Sequence, residues 1–514
     1  MSKTIIIIGA GLAGLSAALQ AAENGCNVKL VSSFPSERAQ SVMAEGGINA
    51  ALNTKDENDS PEEHFTDTIK AACGLADPNA VWGMTQAAPE LVHWLLKLGV
   101  QFNMSGYDDV DLRNFGGQKK KRTAFAQSDT GKQIMTAMID AVRRKEASGM
   151  VERFSHHSFL TLRLCGNICC GCVIRDEYSQ ETVELPGDAV IVATGGMHGL
   201  FGNTTGSLSN TGEVTAELFR LGVPLANGEM IQYHPTTVKC GGKRMLISEA
   251  ARGEGGRLFA MKDGKQWYFM EEKYPELGNL MPRDITAREI WKVSHESEVF
   301  LDMTEISEEI ISNKLSGLAD DCMTYLHKDI RKEPVSVLPG IHYFMGGILV
   351  DEQHRTSIQN LYAAGECCAQ YHGANRLGGN SLLGALYGGR VAAKLVCEQA
   401  DVVDLSCATQ IDFPPASQIS EIKQLNKVMQ ETMGVVRNEN TLLNGIQTVQ
   451  ALTGNLPLLG MAVLKSALAR KESRGAHWRE DYPKSNDDDY LKTTVARFDG
   501  KQIQITFVPV PERR

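Results

Sequence analysis

The run Gly9-Ala10-Gly11-Leu12-Ala13-Gly14 constrains this chain most, because it joins an apolar stretch to a helical pattern. Thr4–Gly9 reads as a buried strand, Gly14–Glu23 as a helix and Asn27–Val31 as a second strand. A strand entering a G-x-G-x-x-G turn that opens a helix is a dinucleotide site. The glycines allow the tight turn and let a pyrophosphate reach amides at the helix N-terminus. The apolar start therefore fits this strand–turn–helix better than a signal peptide. Ser32 and Ser33 stand where an NAD site places a carboxylate for the ribose hydroxyls, which argues against simple NAD binding. Two further strand ends carry glycine, Ala193-Thr194-Gly195-Gly196 and Ala363-Ala364-Gly365-Glu366. Three strand ends meeting one ligand fit the larger FAD. The loop Glu37–Asn49 adds tandem glycines, Gly46-Gly47, flat enough to lie against a cofactor.

With 514 residues the chain can bury a core spread over two or three domains. Its net charge of −10 argues against a nucleic-acid partner. The one basic run, Lys119-Lys120-Lys121-Arg122, reads as a solvated segment. No segment approaches the ~18 uninterrupted apolar residues of a membrane span. The cysteines show no export pattern, so a cytoplasmic setting is expected. Cys165, Cys169, Cys170 and Cys172 straddle a predicted hairpin within 160–175, around Gly166-Asn167. Strand alternation sends such neighbours to opposite faces, so no metal site is expected.

The coarse pattern is α/β. A mixed insert spans 223–335 before Leu361–Ala364 returns as a strand. A break follows at Phe413-Pro414-Pro415, then helical periodicity over Ser417–Lys471 and a polar tail ending in the strand-like Ile503–Val508.

Ala44-Glu45-Gly46-Gly47, Gln232-Tyr233-His234-Pro235-Thr236, the stretch from Glu249 to Gly256, and His372 to Gly378 occur in that order. Together with the tail Glu472-Ser473-Arg474-Gly475-Ala476-His477, this set resembles the flavoprotein subunit of fumarate reductases and succinate dehydrogenases, in the L-aspartate oxidase superfamily. The resemblance covers nearly the whole chain. It implies a Rossmann-like FAD-binding domain in two parts (1–222 and 336–410), an inserted α+β capping domain (223–335), a helical domain (411–475) and a tail (476–514).

The resemblance also implies an activity, fumarate reduction to succinate. Such chemistry needs a hydride from flavin N5, a proton donor, and cations that hold the substrate carboxylates. By resemblance Arg283 is the acid, with Glu249 and Arg252 as its proton relay. His234, Ser248, His342, Arg376 and Phe115 are the substrate-binding set, with Ser248 replacing the family's usual Thr. Gly9, Gly11, Gly14, Ser33, Gly46, Gly47, Gly195, Glu366, Ser381 and Leu382 match cofactor contacts. Glu213 stands where the family commonly has Asp. Respiratory members bond a loop His covalently to the flavin. Here that position is Gln40, so the FAD is expected to be held non-covalently, which favours fumarate reduction over succinate oxidation. The alternatives are L-aspartate oxidase, and reduction of another unsaturated acid. Asn114-Phe115-Gly116-Gly117 places an aromatic where aspartate oxidases typically have Glu. Gly340-Ile341 and Phe344 flank His342-Tyr343 and keep the other acids open. The C-terminal region resembles a partner-docking surface, so an iron–sulfur subunit is the expected partner. That would place the chain at the inner face of a membrane through its partners.

Overall fold

A computed structural model describes residues 2–106, 109–400, 411, 413 and 419–514. Apart from Phe413, the expected break at Phe413-Pro414-Pro415, the 410/411 boundary and the start of the Ser417–Lys471 helical stretch lie outside the described residues. The cofactor side is built on five parallel strands: Leu361–Ala363, Ala189–Val192, β1 (Thr4–Ile8), β2 (Asn27–Ser32) and Val151–Ser155, in that spatial order. Parallel strands are buried on both faces, which is why β1 is the unbroken apolar run Thr-Ile-Ile-Ile-Ile with Ile5 to Ile7 fully buried. The register pairs Ile8 with Val192 and Val31, and Val192 with Ala363. All these strands therefore end at one edge, where Gly9, Ser33, Gly195 and Glu366 emerge together. Helix α1 (Leu12–Glu23) starts inside the glycine run and packs along the helix Asn380–Gln399.

The predicted hairpin is longer than its apolar core suggested, with strands His157–Cys165 and Ile168–Asp176. Cys169 and Cys172 enter the core beneath the parallel sheet, and the Cys170 thiol donates to Arg163 O at 3.2 Å.

Across the cavity stands an antiparallel sheet of Lys243–Leu246, Ile231–Cys240 and Leu338–Phe344. Pro235 interrupts the middle strand, and its pairing with Leu338–Phe344 slips between His234 and Thr237. Proline has no N–H to give the ladder, so the strand bulges there and re-aims His234.

Helices Ile419–Thr432, Glu439–Val449 and Asn455–Ala469 form a third core. The tail holds two strands, not one. Lys492–Phe498 and Ile503–Pro509 form a hairpin that extends a sheet through Leu225–Ala226 and Gly347–Leu349.

The basic run is not solvated throughout. Arg122 is fully buried, 2.8 Å from Asp59 and 2.9 Å from Asp67, while Lys120 pairs with Glu63. The helix Pro61–Ala71 supplies Glu63 and Asp67 and the loop before it Asp59, and spacing along the chain gives no sign of this.

Candidate active site

One cavity of about 480 Å³ runs from the strand ends to the antiparallel sheet. Gly9, Gly11, Ser33, Gly46, Gly47, Gly195, Glu366, Ser381 and Leu382 line it on the cofactor side. Phe115, His234, Ser248, Glu249, Arg283, His342 and Arg376 line it on the other. Gln40 and Glu213 also reach it. Gly14 and Arg252 do not. A Cβ on Gly14 would lie 1.8 Å from Gly9 O, so that glycine closes the turn against α1. Phe344 is turned away, its ring packed against His198 and Phe201, so it does not reshape the cavity.

The residues on the strand-end side fit a dinucleotide. Helix α1 and the helix Asn380–Gln399 both begin at glycines, Gly11 and Gly379, which have no side chain to cap them. Ser41 Oγ accepts the Leu12 amide at 3.2 Å and leaves the next amides of α1 without a side-chain partner among the described residues. Both starts adjoin the cavity, and uncapped amides at a helix N-terminus are donors waiting for an anion. Gly9 has φ +110°, and a Cβ there would sit 2.3 Å from Ala193 O. Only glycine brings these two strand ends so close. The tandem glycines are clamped from behind by Arg113, which sequence reading missed. Its guanidinium donates to Gly46 O, Glu45 O and Gln127 O at 2.5 to 3.2 Å and lies 4.2 Å from the Phe125 ring centroid. Beside it, Glu45 has an enclosed Oε2 without a partner, and burial with Asp321 raises its carboxyl to about 8.

On the opposite wall Arg283 is the first residue of the helix Arg283–Val293. Its Nε and Nη2 donate to Glu249 Oε2 at 2.9 and 2.6 Å. The other carboxylate oxygen accepts from Arg252 Nη2 at 3.3 Å and from Gly116 N at 3.2 Å. The three charges form a buried chain, with 2, 3 and 6% exposure at Glu249, Arg252 and Arg283. Burial pushes the Glu249 carboxyl up, but the two guanidiniums overcome it and hold it below the usual carboxylate range. Arg252 stands behind Glu249 and is anchored on Asn279 O at 2.6 Å.

Gln232, absent from the sequence-derived set of site residues, ties this chain to the next arginine. Its Oε1 accepts from Arg283 Nη1 at 3.2 Å, and its Nε2 donates to Arg376 O at 2.8 Å. Arg376 is 3% exposed and lies 4.4 Å from the Tyr343 ring centroid. It has no ion pair among the described residues, and its Nε lacks a hydrogen-bond partner. Burial, followed by the neighbouring Arg283 charge, brings it down to about 9.

His234 and His342 face each other with ring centroids 5.1 Å apart. Burial, then Arg283, drives both well below the usual histidine range, so both imidazoles are neutral at pH 7. Thr236 O and N lie 3.1 and 3.3 Å from His234 Nδ1, and His234 Nε2 is buried without a partner. Thr205 Oγ1 lies 2.8 Å from His342 Nδ1. Ser248 caps the helix Glu249–Gly253, accepting Ala250 N–H at 3.4 Å, so its own proton remains to be donated. A buried unpaired cation and an orphaned imidazole nitrogen around one space are placed to receive an anion.

A dinucleotide cradle facing buried proton-bearing and anion-receiving groups defines an FAD-dependent oxidoreductase. The family models agree: residues 4–382 match an FAD binding domain, and residues 453–513 match the fumarate reductase flavoprotein C-terminal region. The succinate dehydrogenase flavoprotein subunit of Bacillus subtilis is 39% identical over 96% of this chain and 94% of its own. The 8-methylmenaquinol:fumarate reductase flavoprotein subunit of Wolinella succinogenes is 31% identical over 100% and 92%. Among solved structures, an E. coli quinol fumarate reductase FrdA variant matches with a TM-score of 0.89 at 26% identity, covering 99% of this chain and 97% of that one. The chain belongs to the succinate dehydrogenase and fumarate reductase flavoprotein family. Among the described residues no helix is long and apolar enough to cross a membrane.

Proposed function

We propose that this chain reduces fumarate to succinate, as the flavoprotein subunit of an enzyme fed with electrons by an iron–sulfur partner at the inner face of a membrane. The observation that carries this reading is the buried chain Arg283–Glu249–Arg252 beside the unpaired Arg376. When bound, FAD supplies the hydride for one alkene carbon. The protein's groups do the rest. Arg376 grips one carboxylate through its planar fork, with His342 alongside. Ser248 Oγ–H holds the other carboxylate, with His234 Nε2 facing the same space. Phe115 and the sheet close the space to water, which strengthens these contacts.

Arg283 gives its proton to the second alkene carbon. An arginine acts as an acid only where a new proton reaches it at once. Glu249, ionised at rest, takes a proton from Arg252, whose Nη2 meets its Oε1 at 3.3 Å, and hands it on to Arg283, whose Nη2 lies 2.6 Å from Oε2. The aromatic Phe115 before Gly116-Gly117, where aspartate oxidases typically carry Glu, favours fumarate over an amino-acid substrate. Gln40 adds direction, since a carboxamide is no nucleophile for a flavin linkage and non-covalent flavin suits reduction.

The test is Arg283→Ala, read by anaerobic reoxidation of the chemically reduced holoenzyme with fumarate. Loss of a positioned general acid lowers the limiting rate by about 10²–10⁴-fold. Bound flavin and fumarate affinity change little. A variant that keeps its rate, or loses its flavin, sinks the assignment.

A further inference from the structure

Besides Arg283 and Arg376, the cavity is lined by Arg244, which the mechanism above does not use. It lies on the strand Lys243–Leu246, hairpin partner of the strand that carries His234. Its Nε donates to Thr237 Oγ1 at 2.5 Å, and its Nη2 to Thr237 O and Leu338 O at 3.3 Å each. Nη1 makes no hydrogen bond to the described residues, and no carboxylate among them pairs with this guanidinium. Two of its three nitrogens thus fix its orientation and leave the third for a ligand.

The neighbouring strand makes room for it. A Cβ on Gly340 would lie 2.6 Å from Arg244 Nε and 2.7 Å from Thr237 Oγ1. Gly340 pairs with His234 in the sheet register and sits two residues before His342. The Arg244 amide donates to Thr204 O at 3.2 Å, next to the Thr205 hydroxyl that meets His342 Nδ1. Arg244 therefore lines the same cavity as both imidazoles, on the strand next to the one that carries His234. Arg283 already has its counter-charge in Glu249, whereas Arg376 and Arg244 have none among the described residues. Two partly or fully buried cations without counter-charges match a ligand with two carboxylates.

We propose that Arg244 is a carboxylate-binding, specificity-determining residue that makes the cavity select dicarboxylates over monocarboxylates. This inference rests on the fumarate–succinate reading of the same site. It is tested by stopped-flow reoxidation of the reduced holoenzyme with fumarate and with its monoethyl ester. In Arg244→Gln the apparent Kd for fumarate rises about 10–100-fold, as expected for a lost charge-assisted hydrogen bond. The limiting rate stays within about threefold, consistent with lost binding and intact chemistry. The preference for fumarate over the monoester falls by a similar factor, and Arg244→Lys recovers part of it. Gly340→Ala, which crowds the guanidinium, shifts Kd in the same direction. An unchanged fumarate Kd overturns the proposal, as does an equal loss for both substrates, which marks Arg244 as a hairpin anchor only. If neither compound reoxidises the wild-type protein, the fumarate reading fails by itself. Titrating succinate against the absorbance of the oxidised flavin then decides Arg244 separately. A perturbation that Arg244→Gln abolishes supports it; no wild-type perturbation, or one the variant retains, overturns it.

Discussion

The Gln40 carboxamide oxygen accepts the Ser207 N–H at 2.5 Å, so this side chain pins a loop at the cavity and offers no nucleophile. Acid precipitation of the purified protein should therefore release all of its flavin into the supernatant. Flavin fluorescence that stays with the denatured chain would contradict this. The residues that the spaced motifs singled out, His234, Ser248, Glu249, Arg283, His342 and Arg376, come to one cavity from separate elements. They were legible because the ordered set of motifs resembles a known family, which carries each role over to a matching position. The supporting residues were not legible. Arg113 acts on backbone carbonyls, Gln232 is uncharged, and Arg122 looks like any solvated cation until Asp59 and Asp67 are packed beside it.

At the scale of elements, the parallel strands were readable because burial on both faces leaves an unbroken apolar run. Their common edge follows from the parallel register, and three glycine-bearing strand ends indicated it without any structure. The tail strand Lys492–Phe498 escaped detection because it begins Lys-Thr-Thr and owes its place to Leu225–Ala226, far away in the chain. A buried network fixes that attachment. Arg470 joins Glu229 and Glu472 at 2.7 Å each, and Thr494 Oγ1 donates to Glu229 Oε1 at 2.6 Å. Glu229 stands two residues before the strand Ile231–Cys240, so the tail braces the strand that carries His234. Breaking a buried pair leaves an uncompensated charge, which is why such a network ties the tail firmly to the site.

For the whole molecule, six buried histidines bear on pH. Burial brings His64 to about 3 and His354 to about 4, and holds His234, His342, His372 and His477 well below their usual range. Below about pH 6.5 the unfolded chain protonates these rings while the folded chain does not, so stability falls on acidification. Glu45 opposes this, since its folded value of about 8 makes stability rise as pH falls toward 4.5. Asp59, Asp67, Glu213, Asp284 and Asp321, also raised by burial, act in the same sense as Glu45, and the six rings set the net direction, a loss of stability between pH 7 and 5.5. The holoenzyme's Tm should drop by several degrees over that interval; a flat or rising Tm would contradict it.

The most direct measurement is anaerobic and uses the intact holoenzyme. The flavin's visible absorbance is followed while the reduced protein is offered fumarate and the oxidised protein is offered aspartate. Rapid reoxidation by fumarate with no response to aspartate is the expected result. Reduction by aspartate, or reduced flavin left untouched by fumarate, would contradict fumarate reduction at this site.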